Sequence, residues 1–173
     1  MKNHILQNGT LGALVVVLYF SLLYAIGRSA FLNVGLQWAA MAFYVLFMYR
    51  AARTDDEQRG AEREFRHQVR APFAVFILIN LAYWLFYYGL HLADPELVRQ
   101  ELLLQKQRIE AELARGAGDP QWAAQLRQHL QEIAKALENP VQPLGPVLMR
   151  FGVGAIGGFA LASLIVLVRR AFR

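Results

Sequence analysis

The sequence predicts an all-α integral membrane protein with four transmembrane helices and an extracytoplasmic antiparallel helical hairpin between the third and the fourth. Three observations predict it. Four windows are free of Asp, Glu, Lys and Arg and nearly long enough, or long enough, to span a bilayer. Lys and Arg gather in the segments that flank those windows. The one long polar stretch, between windows three and four, carries two apolar stripes at helical spacing, each opened by proline.

Composition supports the class. The chain has 173 residues, of which 56 % are hydrophobic. A soluble domain holds roughly 45–50 % apolar residues. Here the excess is concentrated in blocks, and four such blocks leave too little chain to cover them as a buried soluble core. One membrane domain over 1–173 is the expected organisation. There is no cysteine, so disulfides and thiolate metal sites are excluded. The net charge is +5, from 18 Lys+Arg against 13 Asp+Glu. Most of the arginines flank apolar segments, so membrane topology explains the basic balance and nucleic acid is not an expected partner.

The first window runs from Lys2 to Arg28, with its apolar part from Leu11 to Ile26, and predicts a helix over about 10–27. A signal peptide has a shorter apolar run and a small-x-small cleavage site, which is not evident here. The second window, Ser29 to Tyr49, predicts a helix over 31–49. The third lies between Arg70 and Asp94 and predicts 72–92. The fourth runs from Phe151 to Val168 and borrows Pro146 to Met149 to reach the required length, giving 147–168 with Arg150 near one end. An arginine there can snorkel to the headgroups.

Orientation follows from the cations. Lys2, the six arginines of the 50–70 loop and Arg169, Arg170 and Arg173 make ten on one side, mostly in short segments. Eight fall on the other, six of them in the long 93–145 segment, where charge counts less. Both termini and the 50–70 loop therefore read as cytoplasmic. Tyr24, Phe31, Tyr87 and Tyr88 fall toward the outer interface, and Tyr44, Phe47, Tyr49 and Phe73 toward the inner one.

Residues 93–145 read as the hairpin. Asp94-Pro95 and Asp119-Pro120 are each an N-cap followed by proline at the first helical position. Gly116-Ala117-Gly118 separates the two helices and Asn139-Pro140 ends the second. Val98, Leu102, Ile109 and Leu113 form one stripe, and Trp122, Leu126, Leu130, Ile133 and Leu137 form the other. Two such stripes can close on each other as a seam. Leu103 and Leu104 lie partly off the first stripe and offer a face to another protein.

Few motifs carry chemistry. Gly152, Gly154 and Gly157 spell G-x-G-x-x-G, but no strand precedes them and no βαβ unit surrounds them, so no dinucleotide cofactor is expected. Gly154, Gly158 and Ala162 share one helix face and read as close helix packing in lipid. Asn8-Gly9-Thr10 matches a glycosylation sequon on the cytoplasmic side and reads as chance. His129 and Glu132 are three apart, two weak ligands with no third, and no metal is expected. His4, His67 and His91 are scattered along the chain. At membrane depth the polar residues are Asn80, Asn33 and Gln37, then Ser21 and Ser163. None is ionisable, which argues against an ion-coupled transporter, and buried amides act mainly as interhelical glue.

The opening Met1-Lys2-Asn3-His4-Ile5-Leu6-Gln7-Asn8-Gly9, the four windows and the long helical insert form one pattern with Glu138-Asn139-Pro140 and a Gly-rich last helix ending in Val168-Arg169-Arg170. The pattern resembles the uncharacterised bacterial membrane-protein family catalogued as domain of unknown function 4199, over nearly the whole chain. The resemblance implies a bacterial cytoplasmic membrane and carries no catalytic residues. The expected function is a non-enzymatic accessory or scaffold protein, with the lipid bilayer around it and a protein partner or a second copy held by the hairpin or a helix face. A small transporter or channel with a polar path near Asn33, Gln37 and Asn80 is the alternative, and an enzyme is the weakest reading.

Overall fold

A computed structural model describes residues 3–60, 64–116 and 120–172. Every regular element among them is helical: α1 Asn3–Ile26, α2 Arg28–Phe31, α3 Val34–Ala39, α4 Met41–Arg59, α5 Phe65–Ala93, α6 Pro95–Ala114, α7 Pro120–Glu138 and α8 Leu144–Ala171. Three helices are long and apolar enough to cross a membrane: His4–Ile26 with 23 residues, Phe65–Ala93 with 29 and Leu144–Ala171 with 28. The chain divides into two compact units, residues 1–87 with 144–173, and residues 88–143. Lys2, Arg63 and Arg173 of the topology count lie outside the described residues, as do Ala117, Gly118 and Asp119 of the expected inter-helix turn and cap.

In the first unit the second window departs from expectation. It is not one helix over 31–49. The chain leaves α1 at Gly27, whose φ of 152° is open to glycine and strained for other residues. It then makes a single turn of helix, breaks at Leu32–Asn33, makes α3, and turns again at Ala40 into α4. Asn33 causes one break. Its side chain accepts from the Leu36 N–H at 3.1 Å and so caps α3 in place of a backbone carbonyl. Hydropathy sums see none of this, because every residue involved is apolar or neutral. The helix of the third window, α5, also starts earlier than the apolar window, at Phe65, and continues past the buried Pro72.

Close packing holds this unit together. Gly12 of α1 faces Ile79 of α5, where a Cβ would come within 2.5 Å of the Ile79 Cδ1. Gly9 faces Leu78 in the same way. Rings fill the space further along: Phe20 lies 4.6 Å from Tyr83 and 5.8 Å from Phe31, centroid to centroid, and Phe31 stacks on Tyr87 at 6.4 Å. At the end carrying Arg59 and Arg169, charges are paired. Arg169 donates from Nη2 and Nε to Asp56 Oδ2 at 3.0 and 3.2 Å, tying α8 to α4. Arg170 Nε donates to Gln68 Oε1 at 2.6 Å, tying α8 to α5.

In the second unit α6 and α7 share an apolar cluster. Ile109, Leu126 and Ile133 are buried, with Leu102, Leu113, Leu130 and Leu137 packed against them. Trp122 of the expected seam is not in that cluster. It is 46 % exposed and donates from Nε1 to Glu112 Oε1 at 3.2 Å. An indole one turn from the helix end reaches a carboxylate more readily than it reaches the core. Asp94 occupies the N-cap position before Pro95, but its side chain makes no cap hydrogen bond, because its φ of −129° and ψ of 85° do not present it to the first turn. Gly116, at φ 83°, ends α6.

Candidate functional site

The site is a cavity of about 430 Å³ inside the first unit. Its walls come from five elements. α1 contributes Phe20, α3 Gln37 and Trp38, α4 Met41 and Tyr44, α5 Phe76, Asn80, Tyr83 and Trp84, and α8 Arg150, Gly154, Gly157 and Gly158. The lining is overwhelmingly apolar. Among the described residues that line it, Arg150 is the charged one.

The broken window supplies one wall of the cavity, through Gln37, Trp38, Met41 and Tyr44. An unbroken helix over 31–49 would bury its backbone groups in itself. The break frees some, and side chains take them up. Gln37 Nε2 donates to the Phe31 carbonyl at 3.0 Å, and the Tyr19 hydroxyl donates to the Leu36 carbonyl at 2.8 Å. Irregular backbone at membrane depth is tolerated where such partners satisfy it. The break also sets α3 apart from α4 and brings Gln37 and Trp38 to the cavity.

Opposite, the glycine face of α8 opens the other wall. Gly158 lies on Phe76 so closely that a Cβ would overlap the ring. Gly154 leaves room for the Asn80 amide, which donates from Nδ2 to the Phe151 carbonyl at 3.3 Å. A Cβ on Gly154 would come within 3.2 Å of that nitrogen. Ala162 is fully buried. Gly157 differs, since a Cβ there meets no atom within 4 Å. Arg150 stands one turn and a half inside the start of α8 and donates from Nη1 to the Tyr87 hydroxyl at 3.3 Å.

The structure therefore brings together Gln37, Asn80, Gly154 and Gly158 of the residues singled out in the sequence. Asn33 is absent from the cavity and serves as the α3 cap. Ser21 bonds back to the Val17 carbonyl of its own helix at 2.8 Å. Leu126, Leu130, Ile133 and Leu137 belong to the other unit's cluster. His129 and Glu132 meet at 3.3 Å on an exposed face, and the described residues hold no group of three metal-ligating side chains.

Three further features stand out in the structure. Arg150, a helix-end cation by position, is also the one charge in an apolar segment, and that is the signal that marks it. Gly9 and Gly12 lie three apart in an apolar run, a spacing that marks close approach. His4 and Asp55 are far apart in sequence but sit 3.5 Å apart, both buried. Neither His4 ring nitrogen makes a hydrogen bond, while Asp55 also pairs with Arg59 at 3.1 Å. Beside that pair, Ile5, Asp55, Arg59, His67, Arg70 and Ala71 line a smaller pocket of about 180 Å³. Compared with protein-family models, with curated proteins and with solved structures, the chain matches none.

Proposed function

We propose that this chain works by binding, as a non-enzymatic multi-pass accessory protein of a bacterial cytoplasmic membrane. The observation that carries the reading is the 430 Å³ cavity bounded by α1, α3, α4, α5 and α8. Ligand sites commonly enclose roughly 300–1,000 Å³, with apolar walls and a few polar groups that set orientation. Here those groups are Gln37, Asn80 and Arg150. In this reading α1, α5 and α8 cross the bilayer, and α2, α3 and the apolar start of α4 make a fourth, broken crossing. Both termini and the 50–70 loop are cytoplasmic, supported by the placement of ten Lys/Arg on that side against eight on the other. Residues 93–145 form an extracytoplasmic hairpin, supported by the shared cluster of α6 and α7. Its exposed Leu103 and Leu104 give a protein partner or a second copy an apolar foothold. The bacterial inner membrane rests on the resemblance of the sequence to the family of domain of unknown function 4199.

A transporter or channel is the second reading, favoured by Gln37 and Asn80 lining one cavity. Each amide is bonded to a backbone carbonyl, Phe31 and Phe151, and so acts first as structural glue. The two readings differ in water. Because the chain has no cysteine, single substitutions are clean. Cysteine at Gly157, where a side chain has room, should resist a water-soluble thiol reagent and react with a lipid-soluble one. Rapid labelling by the water-soluble reagent would favour the transporter. Cysteines at the exposed Gln58 and Gln107 test topology in intact cells with an impermeant reagent. Labelling at Gln107 and protection at Gln58 is the expected result, and the reverse would overturn the orientation.

A further inference from the structure

We infer that the cavity of the first unit takes an uncharged lipid alcohol from the surrounding bilayer, its hydroxyl set between the Tyr44 hydroxyl and the Asn80 side-chain oxygen and its chain along Phe76, Trp84 and Gly157. The inference rests on the membrane-binding reading above and names the ligand class of that site. Three observations lead to it. First, a neutral hydroxyl in the wall stands unpaired. Tyr44 lines the cavity and is 6 % exposed. Its ring packs on Phe76 at 5.3 Å, yet its hydroxyl has no hydrogen-bond partner among the described residues. Unlike the His4 ring nitrogens, that hydroxyl is not sealed off. Leaving such a group unpaired is costly, so an occupant that bonds it is favoured. Phe76 and Asn80 are four apart on α5, so Tyr44 and Asn80 border adjoining turns of one wall.

Second, the cavity's amides ask for a donor. Asn80 Nδ2 and Gln37 Nε2 donate to the Phe151 and Phe31 carbonyls. A carbonyl accepts only from an N–H, so the nitrogen of each amide is fixed there and its oxygen is the acceptor left to serve. A ligand hydroxyl donates one O–H and accepts on its oxygen, and so suits both Asn80 and Tyr44. A ketone, ester or ether cannot donate. Third, the rest of the cavity disfavours charge. Arg150 is already engaged, by the Tyr87 hydroxyl and by a further interaction, and offers no free counter-charge. An ionised headgroup would lose its water without a partner to replace it. The remaining walls are overwhelmingly apolar and suit a hydrocarbon chain. Gly157 gives that chain width, because a Cβ there meets no atom within 4 Å.

Trp38 and Trp84 line the cavity and make it readable by fluorescence. The test uses the full chain carrying Trp122→Phe, in phosphatidylcholine nanodiscs. The probes are dibromostearyl alcohol, its methyl ether and, at alkaline pH, dibromostearate. Bromine quenches a nearby indole. The alcohol should quench in a saturable way, and the ether should bind about fivefold more weakly, as expected for loss of one neutral hydrogen bond. Dibromostearate should bind less tightly than the alcohol. Tyr44→Phe should weaken the alcohol about fivefold and leave the melting temperature unchanged, because the hydroxyl it removes has no partner among the described residues. Quenching that is only linear, equal binding of alcohol and ether, tighter binding of the acid, or an unchanged alcohol affinity in Tyr44→Phe each overturns the proposal. The alcohol-to-ether contrast leaves the cavity unaltered, so it decides even if Tyr44→Phe folds poorly. A separate arm in dibrominated phosphatidylcholine discs without added probe tests embedding alone, through the exposed Trp38. Failure there sinks the membrane reading, whereas quenching there with no saturable alcohol site sinks only the ligand.

Discussion

Residues 1–87 with 144–173 turn Leu14, Leu18, Leu22, Val153 and Ile156 outward and pack Gly12, Ala51, Ala162, Gly158 and Asn80 against their neighbours. Residues 88–143 do the opposite: Ile109, Leu126 and Ile133 go inside, and Lys106 with Glu110 and His129 with Glu132 pair on the surface. On the reading proposed above, the two units answer to different solvents. In water, burying a branched aliphatic side chain is the main driving force. In hydrocarbon that force between helices is absent, and association depends on close contact and hydrogen bonds, for which small residues and amides are suited. The spanning windows of α1, α5 and α8 are buried over only 28 %, 28 % and 22 % of their residues, which fits a surface that lipid rather than water covers.

The comparison can be broken most sharply in the second unit. Ile133→Asp places a charge in its apolar cluster and should cost about 4 kcal/mol, from lost packing and an unpaired buried charge. Trp122→Asp, on the exposed side beside Glu112, should cost less than about 1 kcal/mol. Helicity and protease resistance of the two variants separate the outcomes, and equal effects would mean the cluster is not a water-driven core.

A smaller effect is expected in the first unit. Gly158→Leu must displace the Phe76 ring and should lower stability by about 1–3 kcal/mol, read as melting temperature in detergent. The neighbouring Phe159→Leu, on a half-exposed ring that touches Phe73 edge-on, should cost well under that. If both behave alike, the small-residue packing claim fails. Asp56→Asn removes the charge that Arg169 meets at 3.0 Å and should cost about 1–2 kcal/mol, since the pair is mostly buried. High salt should shrink that difference little, unlike for the exposed Arg53–Glu57 pair, whose loss should go nearly unnoticed. Asn80→Leu should cost about 0.6 kcal/mol if its bond to the Phe151 carbonyl is typical of those measured between membrane helices. A loss several times larger would show that the Asn80 amide organises the cavity rather than one contact.

What the sequence determined by itself is local. Charge-free windows one, three and four become long helices, because span length and hydropathy are sums over neighbouring residues. Proline and glycine placement marks where α6 and α7 begin and end, because φ constraints act within a residue or two. The stripes of Leu126, Leu130, Ile133 and Leu137 show in the spacing for the same reason, and so does the face shared by Gly154, Gly158 and Ala162. Only the tertiary structure decided what those faces meet. Phe76 on Gly158, the Asn80 bond to a carbonyl 71 residues away, and the Arg169–Asp56 pair across 113 residues are matters of which helices adjoin. The break of the second window belongs with them. Its residues are apolar enough for a continuous helix, and it stays broken because Tyr19 from α1 and the caps from Asn33 and Gln37 satisfy the backbone that a helix would otherwise have satisfied alone. The cavity is walled by that broken segment together with α1, α5 and α8, so no sum along the chain could have located it.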